Sequence, residues 1–182
     1  IDEMLRVTKK YVIYNIQTIK NNRSDVYKLI GHYADKIANI LIWNKTNPQP
    51  ANPNCITNSY ELIVILSNIK ELRTTSEYYR NVITQPINSE TQYCKIHKAV
   101  MSKRICDEII REFTTRNDIV LDPFSGMGTT ALCCKEQGRR YIGFEVYPLY
   151  YEKSLDRLKG IQNNGQTSLF MNMPDEKDIS LF

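Results

Sequence analysis

The residues best suited to chemistry lie in one string, Asp118-Ile-Val-Leu-Asp122-Pro-Phe-Ser-Gly126-Met-Gly128-Thr-Thr-Ala131. An apolar, β-branched run ends at an aspartate, passes two glycines and meets a helix-forming stretch. Glycine at 126 and 128 permits positive φ and close approach of the backbone to a ligand. The helix that follows offers unpaired N–H groups at its start, which suit a carboxylate or a phosphate. A second apolar run, Tyr141-Ile-Gly-Phe-Glu145, ends in an acid nineteen residues beyond Gly126. Dinucleotide-like folds place an acceptor for ribose hydroxyls at about that interval. Two common loops do not fit. The G-x-G-x-x-G fingerprint fails because position 131 is alanine, and a phosphate loop fails because no G-K-[ST] follows.

Such a turn needs strands and helices to hold it. Apolar runs that read as buried strands are Tyr11–Ile16, Ile40–Trp43, Leu62–Leu66, Ile119–Asp122 and Tyr141–Glu145. Their near-continuous apolarity suits a sheet covered on both faces, as in parallel α/β folds. Helical spacing is found from Ser24, a plausible N-cap, to about Ile37, and again after Ser102 with the stripe Ile105, Ile109, Ile110 and Phe113. A third helix is expected from about Gly128 to just before Gly138, and a fourth from Pro148 to Leu158. The stretch Asn47–Asn54 holds three prolines and cannot be regular. The tail beyond Gly160 is polar.

With 182 residues, 42% hydrophobic and 24% charged, the chain has the size and balance of one ordinary globular domain. No apolar run approaches the ~20 residues of a membrane span, and no basic stretch followed by an apolar one opens the chain, so no membrane partner is expected. The five cysteines form no C-x-x-C pair, and His32 and His97 lie away from any cluster of them. No metal site is expected. Reduced thiols acting as small hydrophobes in a cytoplasmic protein are the simpler reading.

Asp122-Pro-Phe-Ser-Gly-Met-Gly-Thr-Thr130 resembles the S-adenosylmethionine-binding motif of the DNA amino-methyltransferases, which make N6-methyladenine or N4-methylcytosine. Ile142-Gly-Phe-Glu145, Tyr150 or Tyr151 and Arg157-Leu158 are similar to that family's I-G-x-E…Y…R-L run. His97-Lys-Ala-Val-Met-Ser-Lys-Arg-Ile105 is similar to the segment that borders the cofactor's methionine end, with Ser102 where proline is frequent. Upstream, Ile42-Trp-Asn-Lys45-Thr-Asn-Pro48, Thr57-Asn-Ser-Tyr-Glu61 and Tyr14-Asn15-Ile16 resemble the strands around the target-base pocket. Their position ahead of the cofactor motif is the permuted order called the β group.

The resemblance implies an α/β fold, a Rossmann-like class I methyltransferase sheet with helices on both faces. It implies an S-adenosylmethionine site of Asp122, Pro123, Phe124, Ser125, Gly126, Gly128, Thr129, Thr130 and Glu145, with His97, Lys98 and Ala99. Glu145 would hold the ribose, the Gly126–Thr130 turn the methionine end, and Phe124 would pack on the cofactor. It further implies that double-stranded DNA is bound, that a target base leaves the stack, and that its exocyclic nitrogen takes the sulfonium methyl in line. Adenine N6 is placed ahead of cytosine N4, although the sequence does not itself separate them. RNA or protein as the methyl acceptor stays open at the level of fold analogy.

The family's catalytic signature, Asp/Asn/Ser-Pro-Pro-Tyr/Phe, is not in this sequence, so no catalytic residue is assigned. Asn47-Pro-Gln-Pro50 lacks the second proline in place and the aromatic, and follows the wrong strand. Without that central strand, two apolar strands would present open edges, which natural sheets avoid. The expectation is therefore an incomplete sheet, completed by an N-terminal segment outside this sequence or by a second polypeptide. The alternative is a catalytically incomplete cofactor- and DNA-binding subunit that scaffolds an active partner.

Four regions are expected: 1–66, the target-base half; 67–96, a short recognition insert; 97–160, the cofactor half; and 161–182, the tail. Residues 68–104 hold seven basic residues against three acids, which accounts for the whole formal charge of +4. Tyr78 and Tyr79 lie among them, a composition suited to phosphate contact and base stacking, though a solvated helix face looks similar. Lys45, Asn58, Arg73, Arg80, Lys95 and Lys103 are the candidate DNA contacts.

Overall fold

Side chains alternate across a strand, so runs that are apolar at every position need cover on both sides. The computed structural model describes residues 1–69, 71–87, 91–96, 99–159 and 169–170, and in it the chain forms two compact units, Ile1–Ile87 and Asn88–Phe182.

In the first unit β1 (Tyr11–Ile16), β2 (Ile37–Lys45), β3 (Tyr60–Ser67) and β4 (Val82–Gln85) form one sheet in the order β1-β3-β2-β4. The pairs β1–β3 and β2–β3 are antiparallel and β2–β4 is parallel, so this sheet is mixed where the apolar runs suggested a parallel one. The apolar run has a simpler cause: β3 is the inner strand, and Ile63, Val64, Ile65 and Leu66 are buried on both its faces. Helices α1 (Asp2–Val7) and α2 (Arg23–His32) lie against one face, where Met4, Leu5 and Ile30 pack on Val12, Val64 and Leu66. Asn68 Nδ2 donates to the carbonyls of Leu5 and Thr8 and closes the end of α1.

Two local expectations change. The cap of α2 is Asn22, not Ser24, which lies inside the helix; Asn22 Oδ1 accepts from the Ile19 amide. The helix ends at His32, a short 3-10 turn follows, and Ile37 opens β2 opposite Leu66, where its side chain joins the core. Tertiary packing outweighs helical spacing at that position.

The second unit holds α3 (Thr91–Cys94), α4 (Lys103–Phe113), β5 (Ile119–Asp122), α5 (Thr129–Glu136), β6 (Arg140–Gly143), α6 (Pro148–Lys159) and β7 (Leu169–Phe170). Its three strands are parallel in the order β5-β6-β7. Ser102 stands at the N-cap position of α4 as its sequence suggested, but its side chain makes no capping hydrogen bond. Cys106, Ile110, Leu132, Cys133, Cys134, Tyr141 and Leu158 form the core, with the cysteines acting as small apolar groups. The hydrogen bond that the Cys133 thiol donates to Cys106, together with burial, pushes that thiol up, and burial raises Cys134.

The strands thus belong to two sheets. Among the described residues β1 pairs only with β3, and β5 only with β6. Ile119 and Leu121, which share one face of β5, are exposed. No helix among the described residues is long and apolar enough to cross a membrane.

Candidate cofactor turn

Parallel strands bind ligands beyond their carboxyl ends. β5 and β6 pair from Ile119 opposite Arg140 to Asp122 opposite Gly143, and the ladder runs on past both strands. Phe144 N–H donates to the Asp122 carbonyl at 3.0 Å, and Ser125 N–H donates to the Phe144 carbonyl at 2.9 Å. The chain leaving β5 is therefore still stitched to β6 as it turns. Asp122 Oδ1 accepts from the Phe124 amide at 3.0 Å, which shapes the first half of the turn.

The second half needs glycine. Gly126 has φ 51° and Gly128 φ 71°, both in the left-handed region. At Gly128 there is also no room, since an added Cβ would stand 2.8 Å from Ser154 Cβ. Gly128 N–H donates to the Ser125 carbonyl, and its own carbonyl accepts the first bond of α5 from Leu132. No side chain caps α5. The start of α5 is thus without a side-chain acceptor, an arrangement that suits an anionic group.

Glu145 closes the site. Its Oε2 accepts from the Gly126 amide at 2.7 Å, and its Oε1 accepts from the Tyr147 amide at 2.8 Å. The acid nineteen residues downstream thus meets the glycine turn directly. A carboxylate has about four acceptor directions, so two remain for hydroxyl groups. Phe124 is 80% exposed beside this turn, and Val146 and Tyr147 are exposed too.

The other expected cofactor residues take varied places. Pro123 and Thr130 are half-buried and Ser125 is buried. Thr129 is only 3% exposed, and its hydroxyl accepts from Arg157 Nη1 at 3.0 Å. Ala99 is exposed in a turn, whereas His97 and Lys98 lie outside the described residues. In the sequence Arg157 stands only as part of the R-L pair with no task of its own, and Ser154 belongs to no motif. Ser154, Arg157 and Leu158 share the buried face of α6 at helical spacing, and that spacing was the available signal.

The expected DNA residues divide sharply. Lys45 has its side chain 7% exposed, with Nζ 2.6 Å from Glu61 Oε1, and Asn15 Nδ2 donates to Glu61 Oε2. Lys103 is half-buried between Asp107 at 2.8 Å and Glu136 at 2.6 Å; burial alone would lower it, but its bonds to these carboxylates push the ammonium up. Arg73 is exposed and paired with Glu71. Asn58, Arg80 and Lys95 are exposed.

A model of the N6/N4 DNA methylase family matches residues 1–156. The chain is 30% identical over 147 residues to the type II methyltransferase M2.LlaDCHI of Lactococcus lactis subsp. cremoris, covering 72% of this chain and 53% of that protein. It is 31% identical over 146 residues to M.HinfI of Haemophilus influenzae, covering 70% and 41%. The chain spans about half the length of these curated relatives. Among solved structures it is similar to the M1.HpyAVI–SAM complex, with a TM-score of 0.63, 26% identity and coverage of 81% and 74%. The PvuII cytosine-N4-specific DNA methyltransferase has a similar fold at a TM-score of 0.68 and 19% identity, covering 86% and 65%.

Proposed function

The chain belongs to the N6/N4 DNA methylase family, and on that footing we propose that it takes part in methyl transfer from S-adenosylmethionine to an exocyclic amino group of a base in double-stranded DNA. Adenine N6 is the first target to test and cytosine N4 the second. The observation that carries this reading is the bond from the Gly126 amide to Glu145, which joins the glycine turn to an acid at the end of the neighbouring strand. The groups present fit the cofactor. Glu145 keeps acceptor capacity for a ribose diol, the uncapped start of α5 suits the methionine carboxylate, and exposed Phe124 suits a flat apolar contact. When bound, S-adenosylmethionine supplies an electrophilic methyl group. The chain's own part is to hold and orient it.

The polarising groups for the target amine are assigned to a strand carrying Asp/Asn/Ser-Pro-Pro-Tyr/Phe, supplied by a preceding segment or a second polypeptide. Exposed Ile119 and Leu121, on a strand with a single described neighbour, support such an addition. The target base is proposed to be flipped out of the duplex. The type II methyltransferase names of the relatives support a restriction–modification setting, and the buried thiols support a cytoplasmic one.

Calorimetric titration of the chain with S-adenosylmethionine tests the cofactor site. Glu145→Ala removes the acceptor for two amides and for the ligand, and an affinity loss of about 100-fold is expected, the scale of a charged hydrogen-bond pair. Asp122→Ala, which frees only the Phe124 amide, is expected to cost about tenfold. Unchanged affinity in both variants would refute the assignment. Transfer of a tritiated methyl group to duplex DNA, with a polypeptide carrying the proposed Pro-Pro strand added, separates adenine from cytosine products. Cofactor and DNA binding without any transfer would instead favour the scaffold reading.

For DNA, exposed Arg80, Lys95 and Asn58 are the contacts proposed, whereas Lys45, Arg73 and Lys103 are engaged with carboxylates. Arg80→Ala and Lys95→Ala are each expected to reduce the slope of log affinity against log salt by about 0.9. A slope equal to that of the unaltered chain in both variants would remove these residues from the interface.

A further inference from the structure

Arg157 is a buried cation that the cofactor reading leaves without a task. Its Nη1 donates to the Met127 carbonyl at 3.1 Å and to Thr129 Oγ1 at 3.0 Å, the two residues on either side of Gly128. Its Cζ lies 4.5 Å from the centroid of the Tyr93 ring. One turn earlier on the same helix, Ser154 stands directly behind Gly128 and donates to the Tyr151 carbonyl. Burying and ordering a long cationic side chain is costly, and a planar fork that meets several partners at once offsets this as an ammonium cannot.

We propose that Arg157 is the positioning residue of the glycine turn: it fixes Met127 and Thr129 around Gly128 and, through Tyr93, ties the 91–96 segment to the same turn. The two segments are then ordered as one body before a ligand arrives, and the turn need not be rebuilt on binding. Thr129 follows from this. Its hydroxyl serves the turn from behind, and its contribution to a ligand is its backbone amide. A fixed positive charge behind the start of α5 also adds to the helix end's attraction for a carboxylate. The effect on affinity rests on the reading of this turn as the S-adenosylmethionine site; the ordering itself does not.

The test is therefore in two arms on the full chain. Hydrogen exchange without cofactor is compared among the unaltered protein, Arg157→Lys, Arg157→Met and Tyr93→Leu. Amides of residues 127–129 and 93–96 are expected to exchange faster together, by about tenfold in Arg157→Met, while those of 109–113 in α4 keep their protection and report an intact fold. In the second arm, affinity for S-adenosylmethionine is expected to fall about tenfold in Arg157→Met and several-fold in Arg157→Lys, which keeps the charge and loses the fork. Unaltered protection of 127–129 in both Arg157 variants would overturn the proposal. So would loosening of 93–96 alone in Tyr93→Leu. An unaltered chain that binds no S-adenosylmethionine but gives the joint exchange pattern refutes the cofactor reading and supports the positioning role of Arg157.

Discussion

Gly128→Ala is expected to lower the affinity for S-adenosylmethionine by roughly 100-fold, because it meets two independent obstacles. A left-handed φ of 71° costs an L-residue about 1 kcal/mol. The new methyl group would then stand 2.8 Å from Ser154 Cβ, on a helix residue that is itself fully buried, and such overpacking costs about 1–3 kcal/mol. The turn can escape only by moving away from α6, and Met127 and Thr129 would move with it. Gly126 is the control, since its φ of 51° carries the same backbone cost while the nearest atom to an added Cβ is 4.0 Å away. Gly126→Ala is expected to lose about five- to tenfold. Gly128→Ala combined with Ser154→Gly restores space without relieving φ, and should recover to near the Gly126→Ala level. Equal losses at the two glycines, measured by calorimetry, would show that α6 exerts no pressure on the turn.

Lys45→Met is expected to destabilise the first unit by about 3 kcal/mol, because it leaves the largely buried Glu61 carboxylate with Asn15 but without its cation. That is a large share of the ~5–15 kcal/mol that holds a typical domain together. Methionine fills much the same volume, so lost packing contributes little. Glu61→Leu alone should be costly for the converse reason, with Lys45 and Asn15 Nδ2 both losing their acceptor. The double variant Lys45→Met, Glu61→Leu should lie within about 1–2 kcal/mol of the unaltered chain, since paired apolar replacements of buried ion pairs are often near neutral. Trp43 is the sole tryptophan, and Lys45 Nζ lies 5.5 Å from its ring centroid, so its fluorescence in a urea titration reports this unit. Additive single losses in that titration would mean that Lys45 and Glu61 act independently.

The contrast between these two sites explains what the sequence could convey. The backbone of the glycine turn was legible almost residue by residue. A strand ending at Asp122, glycines at 126 and 128, and a helix from 129 are all set within a dozen residues by backbone geometry. The interval singled out Glu145 as an acid at a strand end, but its bond to the Gly126 amide appears only in the structure. All five expected strands were placed to within a few residues, and Tyr11–Ile16 and Ile119–Asp122 to the residue. Four short elements, α1, β4, α3 and β7, were missed. Val82–Gln85 is too short and too polar to stand out, and it is a strand because β2 is there to pair with it.

Charged side chains were the harder part. Lys45 looked like a surface cation because lysine in a polar context usually is one; only the pairing of β2 with β3 brings Glu61 opposite Trp43 and within reach of it. Arg157 looked like the end of a motif, and its partners lie thirty and twenty-eight residues away on the turn. The sequence by itself determined the turn, its acid and the strands that carry them, because φ preferences and side-chain alternation are local. Which cations stay exposed and which are bound into the fold was decided by the tertiary structure alone, because the partner of a long flexible charge is chosen by register and packing between distant segments.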